Sequence, residues 1–179
     1  MSALGCLQAF LIMAAIYAAV WPLGGFIARV LDGETSWLTR WLGPVERSLY
    51  RLAGIDPRAA MPWRQYANAM LAFNLLGLLA VYVCQRLQSI LPLNPQALSA
   101  VSADSAFNTA ASFASNTNWQ GYGGETTMSY LTQMLVLTVQ NFVSAATGIA
   151  VLAALIRGLR QREEPGLGNF WADLVRTTL

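Results

Sequence analysis

The chain has 179 residues, of which 55% are hydrophobic and only 11% charged, and its mean hydropathy is +0.44. Soluble domains carry roughly 25% charged residues, so an ordinary soluble domain fits poorly. A disordered chain, low in apolar residues and high in net charge, is excluded. The composition is that of a bilayer protein, and its long charge-free runs predict an all-α integral membrane fold. All eleven basic residues are arginine, the net charge is +2, and the arginines form clusters rather than one basic stripe. No nucleic-acid partner is expected from that arrangement. Histidine is absent, which removes imidazole metal sites, histidine triads and histidine proton relays. Cys6 and Cys84 lie in apolar runs without a CxxC partner and read as small buried hydrophobes rather than as a disulfide or metal pair.

Three stretches lack charge altogether: Met1 to Ala28, Gln65 to Gln85 and Thr126 to Ile156. A hydrocarbon core of about 30 Å takes about 20 helical residues to cross, and each stretch is long enough. The first lacks a basic leader region and is too long for a signal-peptide core. It reads as a retained transmembrane helix within residues 1–30, with Pro22, Gly24 and Gly25 placed to kink its last turn. The second predicts a span over 66–85. The third predicts a span over 126–157, with room for tilt.

Arginine distribution sets the orientation. Six arginines fall between the first two spans (Arg29, Arg40, Arg47, Arg51, Arg58, Arg64). One, Arg86, lies between the second and third, and Arg157, Arg160, Arg162 and Arg176 follow the third. The positive-inside rule then places residues 29–64 and 157–179 in the cytoplasm, and the amino terminus with the segment from Arg86 to Glu125 outside. Within the cytoplasmic loop 31–64, Ser36 to Gly54 interleaves Trp37, Leu38, Trp41, Leu42, Val45, Leu49 and Leu52 with arginines. This predicts one or two interfacial amphipathic helices broken at Gly43-Pro44, serving either as a membrane-surface anchor or as a docking face for a cytoplasmic partner.

The outside segment Leu87 to Gly124 holds a single charge, Asp104, and 38 residues are unusually many for a loop without structure of its own. After the breaker cluster Pro92-Leu93-Asn94-Pro95, Ser102 or Asp104 can N-cap a short helix over 103–114. At 1.5 Å per residue that helix is about 18 Å long, enough to enter a membrane and too short to cross it. A polar segment, Ser115-Asn-Thr-Asn-Trp-Gln120, and a glycine-rich return, Gly121-Tyr-Gly-Gly124, follow, and Glu125 opens the third span. Span, short helix, polar extended segment, return and span is the order of a re-entrant pore helix with a filter loop over 115–124. A structured extracellular cap would carry the same order. In the pore reading, backbone carbonyls with Asn and Thr oxygens replace water around a cation, at the negative end of the helix dipole. Neutral oxygens suit a monovalent ion, whereas a ring of carboxylates would favour divalent ions.

The segment Ala114 to Val151, ASNTNWQGYGGETTMSYLTQMLVLTVQNFVSAATGIAV, closely resembles the first pore repeat of the potassium-binding A subunit of the bacterial Kdp potassium-transporting ATPase. LPLNPQ (Leu91 to Gln96), FNTAASF (Phe107 to Phe113), the stretch Gly43 to Asp56 and LGNFWADLVRTTL (Leu167 to Leu179) are similar to the same family. The resemblance implies a fold of repeated helix, pore helix, helix units, with 65–157 as the first unit. It implies a potassium filter at Asn116, Thr117 and Asn118, with Ser115, Trp119 and Gln120 adjacent and Gly123, Gly124 and Glu125 at the pore mouth. Trp119 would pack behind the filter, and Glu125 would act as a cap or salt-bridge partner. Gln140 and Asn141 would form interhelical hydrogen bonds. Potassium is then the transported ion and the bacterial inner membrane the location, with membrane lipid around the chain. The partners are a P-type ATPase catalytic subunit that hydrolyses ATP, a C subunit and a small F subunit. This chain itself carries no Walker A motif and no DKTG aspartate, and is not expected to be the hydrolase. Members of that family carry three further repeats, so residues 158–179 read as the cytoplasmic lead-in to a next span, and the chain as a fragment or truncated product. The rival is a non-transporting membrane interaction protein with a folded outer cap.

Overall fold

The computed structural model describes residues 3–34, 37–160 and 166–179, and all regular elements among them are helical. Helix α1 (Ala3–Leu31) runs through Pro22 without interruption. Its side chains are exposed along almost the whole length, as expected of a helix whose apolar surface faces lipid rather than protein. Cys6 belongs to this exposed surface and Cys84 is half-buried; both are free. Burial in protein was the wrong expectation for Cys6, because an apolar side chain on a spanning helix needs only the bilayer.

Helix α2 (Trp37–Ala53) corrects a second expectation by continuing through Gly43-Pro44. The ring of a proline disfavours helical geometry in the preceding residue through that residue's Cβ, and Gly43 has none. Ser48 Oγ donates to the Pro44 carbonyl at 2.8 Å, one turn on. Gly54, at φ +64°, then ends the helix, and the Ile55 amide returns to the Tyr50 carbonyl at 2.9 Å in the usual left-handed helix stop. Ser36, the side chains of Trp37 and Leu38, and Arg162 lie outside the described residues.

Helix α3 (Trp63–Leu87) follows Pro62, and α4 (Ala103–Ala114) is capped by Ser102, whose Oγ accepts from the Ser105 amide. The third charge-free run is not one helix from residue 126. A single turn, α5 (Gly124–Thr127), gives way to extended backbone at Met128. A new start follows, where Ser129 Oγ accepts from the Thr132 amide at 3.3 Å, the N-cap arrangement. A π-helical turn, Thr132–Leu137, then leads into α6 (Thr138–Arg160). Helix α7 (Phe170–Thr178) closes the chain, capped by the Asn169 side chain. Three of the described helical stretches, Leu4–Leu31, Trp63–Leu87 and Thr132–Arg160, are long and apolar enough to cross a membrane.

Two cores hold these helices. In the first, Ala146, Ala150 and Ala154 form a small-residue row on α6 that meets Tyr66 of α3 and Phe170 and Leu174 of α7. Such rows let helix backbones approach closely. The Phe170 ring stands edge-on to Tyr66 at 5.5 Å. In the second, Ala106, Ala110 and Phe113 of α4 pack on Val81, Met128 and Leu137. A buried polar hub links the first core to the chain's end. Asp173, 2% exposed, accepts from Arg157 at 2.6 and 3.0 Å and from the Tyr66 hydroxyl at 3.0 Å. Helix α7 contributes Phe170 and Leu174 to this core. Near Leu31, Arg176 donates to its carbonyl at 2.9 Å and to Glu46 of α2 at 3.1 Å.

Candidate functional site

Helix α4 and the residues after it form a hairpin between α3 and α6, and glutamines fix its two legs. Gln88 is fully buried. Its Nε2 donates to the Ser99 carbonyl at 2.6 Å and to the Thr127 carbonyl at 2.8 Å. Its Oε1 accepts from the Ser129 amide at 3.1 Å and the Thr132 hydroxyl at 3.3 Å. One side chain therefore joins the leg entering α4 to the leg leaving the loop. Gln133 secures the return, with Nε2 donating to the Gly124 carbonyl at 3.1 Å and the Met128 carbonyl at 3.0 Å. Gln85 bonds the Ala106 carbonyl of α4 at 3.2 Å. Sequence reading missed all three glutamines, because a lone Gln carries no local signal of which carbonyl it bonds, whether that partner is 9 residues away (Gln133), 21 (Gln85) or about 40 (Gln88).

The polar segment begins where α4 stops. The amides of Ser115, Asn116, Thr117 and Asn118 all turn back onto the last carbonyls of α4: Ala111 at 3.0 Å, Phe113 at 3.3 Å, and Ser112 at 3.0 and 3.4 Å. Asn116 and Asn118 adopt left-handed backbone, φ 56° and 53°, which Asn tolerates better than most residues. The side chains are tied locally as well. Thr117 Oγ1 donates to the Ser112 carbonyl at 3.2 Å. Asn116 Oδ1 accepts from Asn118 Nδ2 at 3.3 Å and from Ser144 of α6 at 3.4 Å. With the amides turned inward, the carbonyls of Ser115, Asn116, Thr117 and Asn118 accept no hydrogen bond among the described residues. Residues 116–120 are exposed. The result is a run of main-chain oxygens held in place and left open, the arrangement that coordinates a desolvated cation.

An open cleft of about 710 Å³ lies beside this run, lined by Asn118, Gln120, Gly123, Gly124 and Glu125 and also by Tyr122, Gln133, Thr138 and Asn141. Burial pushes the Tyr122 phenol up from its ordinary range. The cleft gathers five of the nine residues singled out from sequence. Ser115, Asn116, Thr117 and Trp119 do not line it. Trp119 is 65% exposed, so within this chain it does not pack behind the loop. Glu125 is exposed and forms no ion pair among the described residues. Gln140 departs from its expected role too. It is buried against Gly77 of α3, yet its Nε2 has no hydrogen-bond partner among the described residues.

Apolar helices with a polar, hydrogen-bond-locked hairpin between the second and third define an all-α, multi-pass membrane protein. The sequence model of the family described as potassium-transporting ATPase A subunit matches residues 10–179. The potassium-transporting ATPase potassium-binding subunit of Bordetella pertussis is 65% identical over 169 residues, covering 94% of this chain and 28% of that protein. The subunit of the same name from Chromobacterium violaceum is 59% identical over 179 residues, 100% of this chain and 30% of its own length. That from Herpetosiphon aurantiacus is 60% identical over 173 residues, 97% of this chain and 30% of its own. The chain belongs to the potassium-transporting ATPase A subunit family, and spans 28% to 30% of the length of these curated relatives.

Proposed function

We propose that these residues form the first pore unit of a potassium-selecting membrane subunit, taking potassium from outside the bacterial inner membrane for ATP-driven uptake. The observation that carries this reading is the orientation of the 115–118 backbone. Its amides are turned onto α4 and its carbonyls are left unclaimed on an exposed loop, in a chain closely similar to proteins named as potassium-binding subunits. Helix α4 is the re-entrant pore helix, and its carboxyl end adds a negative dipole to the site. Neutral oxygens strip potassium's hydration without holding the ion too tightly to leave. Ser115, Trp119 and Gln120 border the filter, and Gly123, Gly124 and Glu125 form its mouth. The amino terminus and the pore loop lie outside, with residues 29–64 and 157–179 in the cytoplasm. ATP hydrolysis belongs to a P-type catalytic subunit, and C and F subunits complete the assembly.

Asn118→Asp in the complete complex tests the site. An added carboxylate raises the field and favours small or divalent cations. Potassium over sodium discrimination is expected to fall about tenfold or more in flux measurements, an effect of roughly 1.4 kcal/mol. Unchanged selectivity with normal assembly would remove Asn118 from the filter.

A further inference from the structure

Helix α2 has three distinct faces. Leu42, Gly43, Glu46 and Tyr50 turn toward the protein, where the Tyr50 hydroxyl reaches Glu46 at 2.8 Å and the Ala172 carbonyl of α7 at 3.4 Å. Burial, then the bond to Glu46, keeps that hydroxyl protonated well above its ordinary range. A second face carries Trp41, Val45, Leu49 and Leu52, which are 79%, 47%, 40% and 86% exposed. At 3.6 residues per turn these four fall within about 80° of one another. The third face carries Arg40, Arg47 and Arg51, all exposed and within about 40° of one another. None of the three pairs with an acid among the described residues, and the sole acid of α2, Glu46, is engaged by Arg176.

Arg176 also fixes where these faces sit. It joins Glu46 to the Leu31 carbonyl, the last residue of α1. Helix α2 is therefore moored at the end of a membrane-spanning helix, at the level where hydrocarbon gives way to headgroups. An apolar stripe there meets acyl chains, and unpaired arginines beside it meet phosphates. A protein partner would have to neutralise three arginines and cover the exposed Trp41 at that same depth. The lipid surface supplies both chemistries together.

We propose that α2 is an interfacial anchor that buries the Trp41, Val45, Leu49, Leu52 stripe in the inner-leaflet surface and binds anionic phospholipid headgroups through Arg40, Arg47 and Arg51. The anchor depends only on membrane insertion, not on the potassium site. Each arginine near an anionic surface changes affinity roughly fivefold.

The test places an environment-sensitive fluorophore at Leu52→Cys, in a chain with Cys6→Ser and Cys84→Ser. The protein is reconstituted in vesicles of phosphatidylcholine alone or with phosphatidylglycerol, each containing shallow spin-labelled lipid. Strong quenching is expected in the anionic vesicles. It should fall severalfold in phosphatidylcholine, in the triple variant R40Q/R47Q/R51Q, and in high salt. Leu52 and the three arginines are exposed, Cys84 is half-buried, and the thermal midpoint in detergent verifies that every variant folds. A label at Ala53→Cys, exposed and about 100° round the helix from Leu52, reports on orientation and should quench less. Equal quenching in both lipids, or no loss in the arginine variant, would overturn anionic recognition. A label unquenched in every vesicle but shielded from aqueous iodide would assign the face to protein instead.

Discussion

At Gly77, α3 comes so close to α6 that an added Cβ would stand 2.5 Å from Oε1 and 2.9 Å from Nε2 of Gln140. The amide head is buried and cannot swing into water, so Gly77→Ala is expected to cost about 1–3 kcal/mol, the usual penalty of overpacking. Gln140→Ala in the same chain should recover most of that loss. Unfolding of both single variants and the double variant in detergent measures it, and strict additivity would mean the contact is not felt. Gln88 poses the opposite problem. Gln88→Leu fills similar volume but leaves the Ser129 amide and the Thr127 carbonyl without that partner. Buried orphans of this kind cost about 1–3 kcal/mol each, so a loss of about 2–4 kcal/mol is expected, with faster hydrogen exchange at Ser129. Exchange as slow as in the parent would show that the two legs are held by other bonds.

Among elements, α7 gains most from its buried ion pair. Asp173→Asn keeps the shape but strips the counter-charge from Arg157, whose side chain is 21% exposed. A loss of about 3–5 kcal/mol is expected from an uncompensated buried charge. Replacing both partners, as in R157M/D173L, should be milder than the single change; a harsher double variant would mean that the pair itself stabilises the fold. The elements differ in how legible they were. The long apolar helices follow from charge-free length, and α4 appears over the expected residues 103–114 because Ser102 and the small residues behind it give local signals. The unbroken α2 was hidden because the rule about proline outweighed the missing Cβ of Gly43. The interruption at Met128 was hidden inside a run that carries no charge, although Ser129 with Thr132 was a readable cap. The Arg157–Asp173 pair and the glutamine clamps depend on neighbours far along the chain, which neither period nor composition reports. At the candidate site, the order of helix, polar segment and return was legible. The inward turn of four successive amides was not, since it rests on left-handed backbone at Asn116 and Asn118.

For the molecule as a whole, the proposed filter would offer an ion the carbonyls of one hairpin, on one side only. A desolvated potassium ion needs oxygens all round, and the open cleft leaves the rest of its shell to water or lipid. These 179 residues alone are therefore expected to show no saturable potassium binding by calorimetry in detergent. Selective, saturable binding by a monomer of known mass would contradict this, and binding by a tetramer would indicate that four copies complete the ring.

Helix α1 stands apart from this architecture. From Leu4 to Leu23 its large side chains are all more than half exposed, and at its far end the Leu31 carbonyl accepts from Arg176. The donor lies 145 residues downstream. At bacterial synthesis rates of about 5–20 residues per second, Arg176 leaves the ribosome on the order of ten seconds after α1. The first helix must therefore enter the bilayer and settle its direction unaided, as an independently stable segment. The mooring of α1 and α2 to α7 closes only after Arg176 has been made.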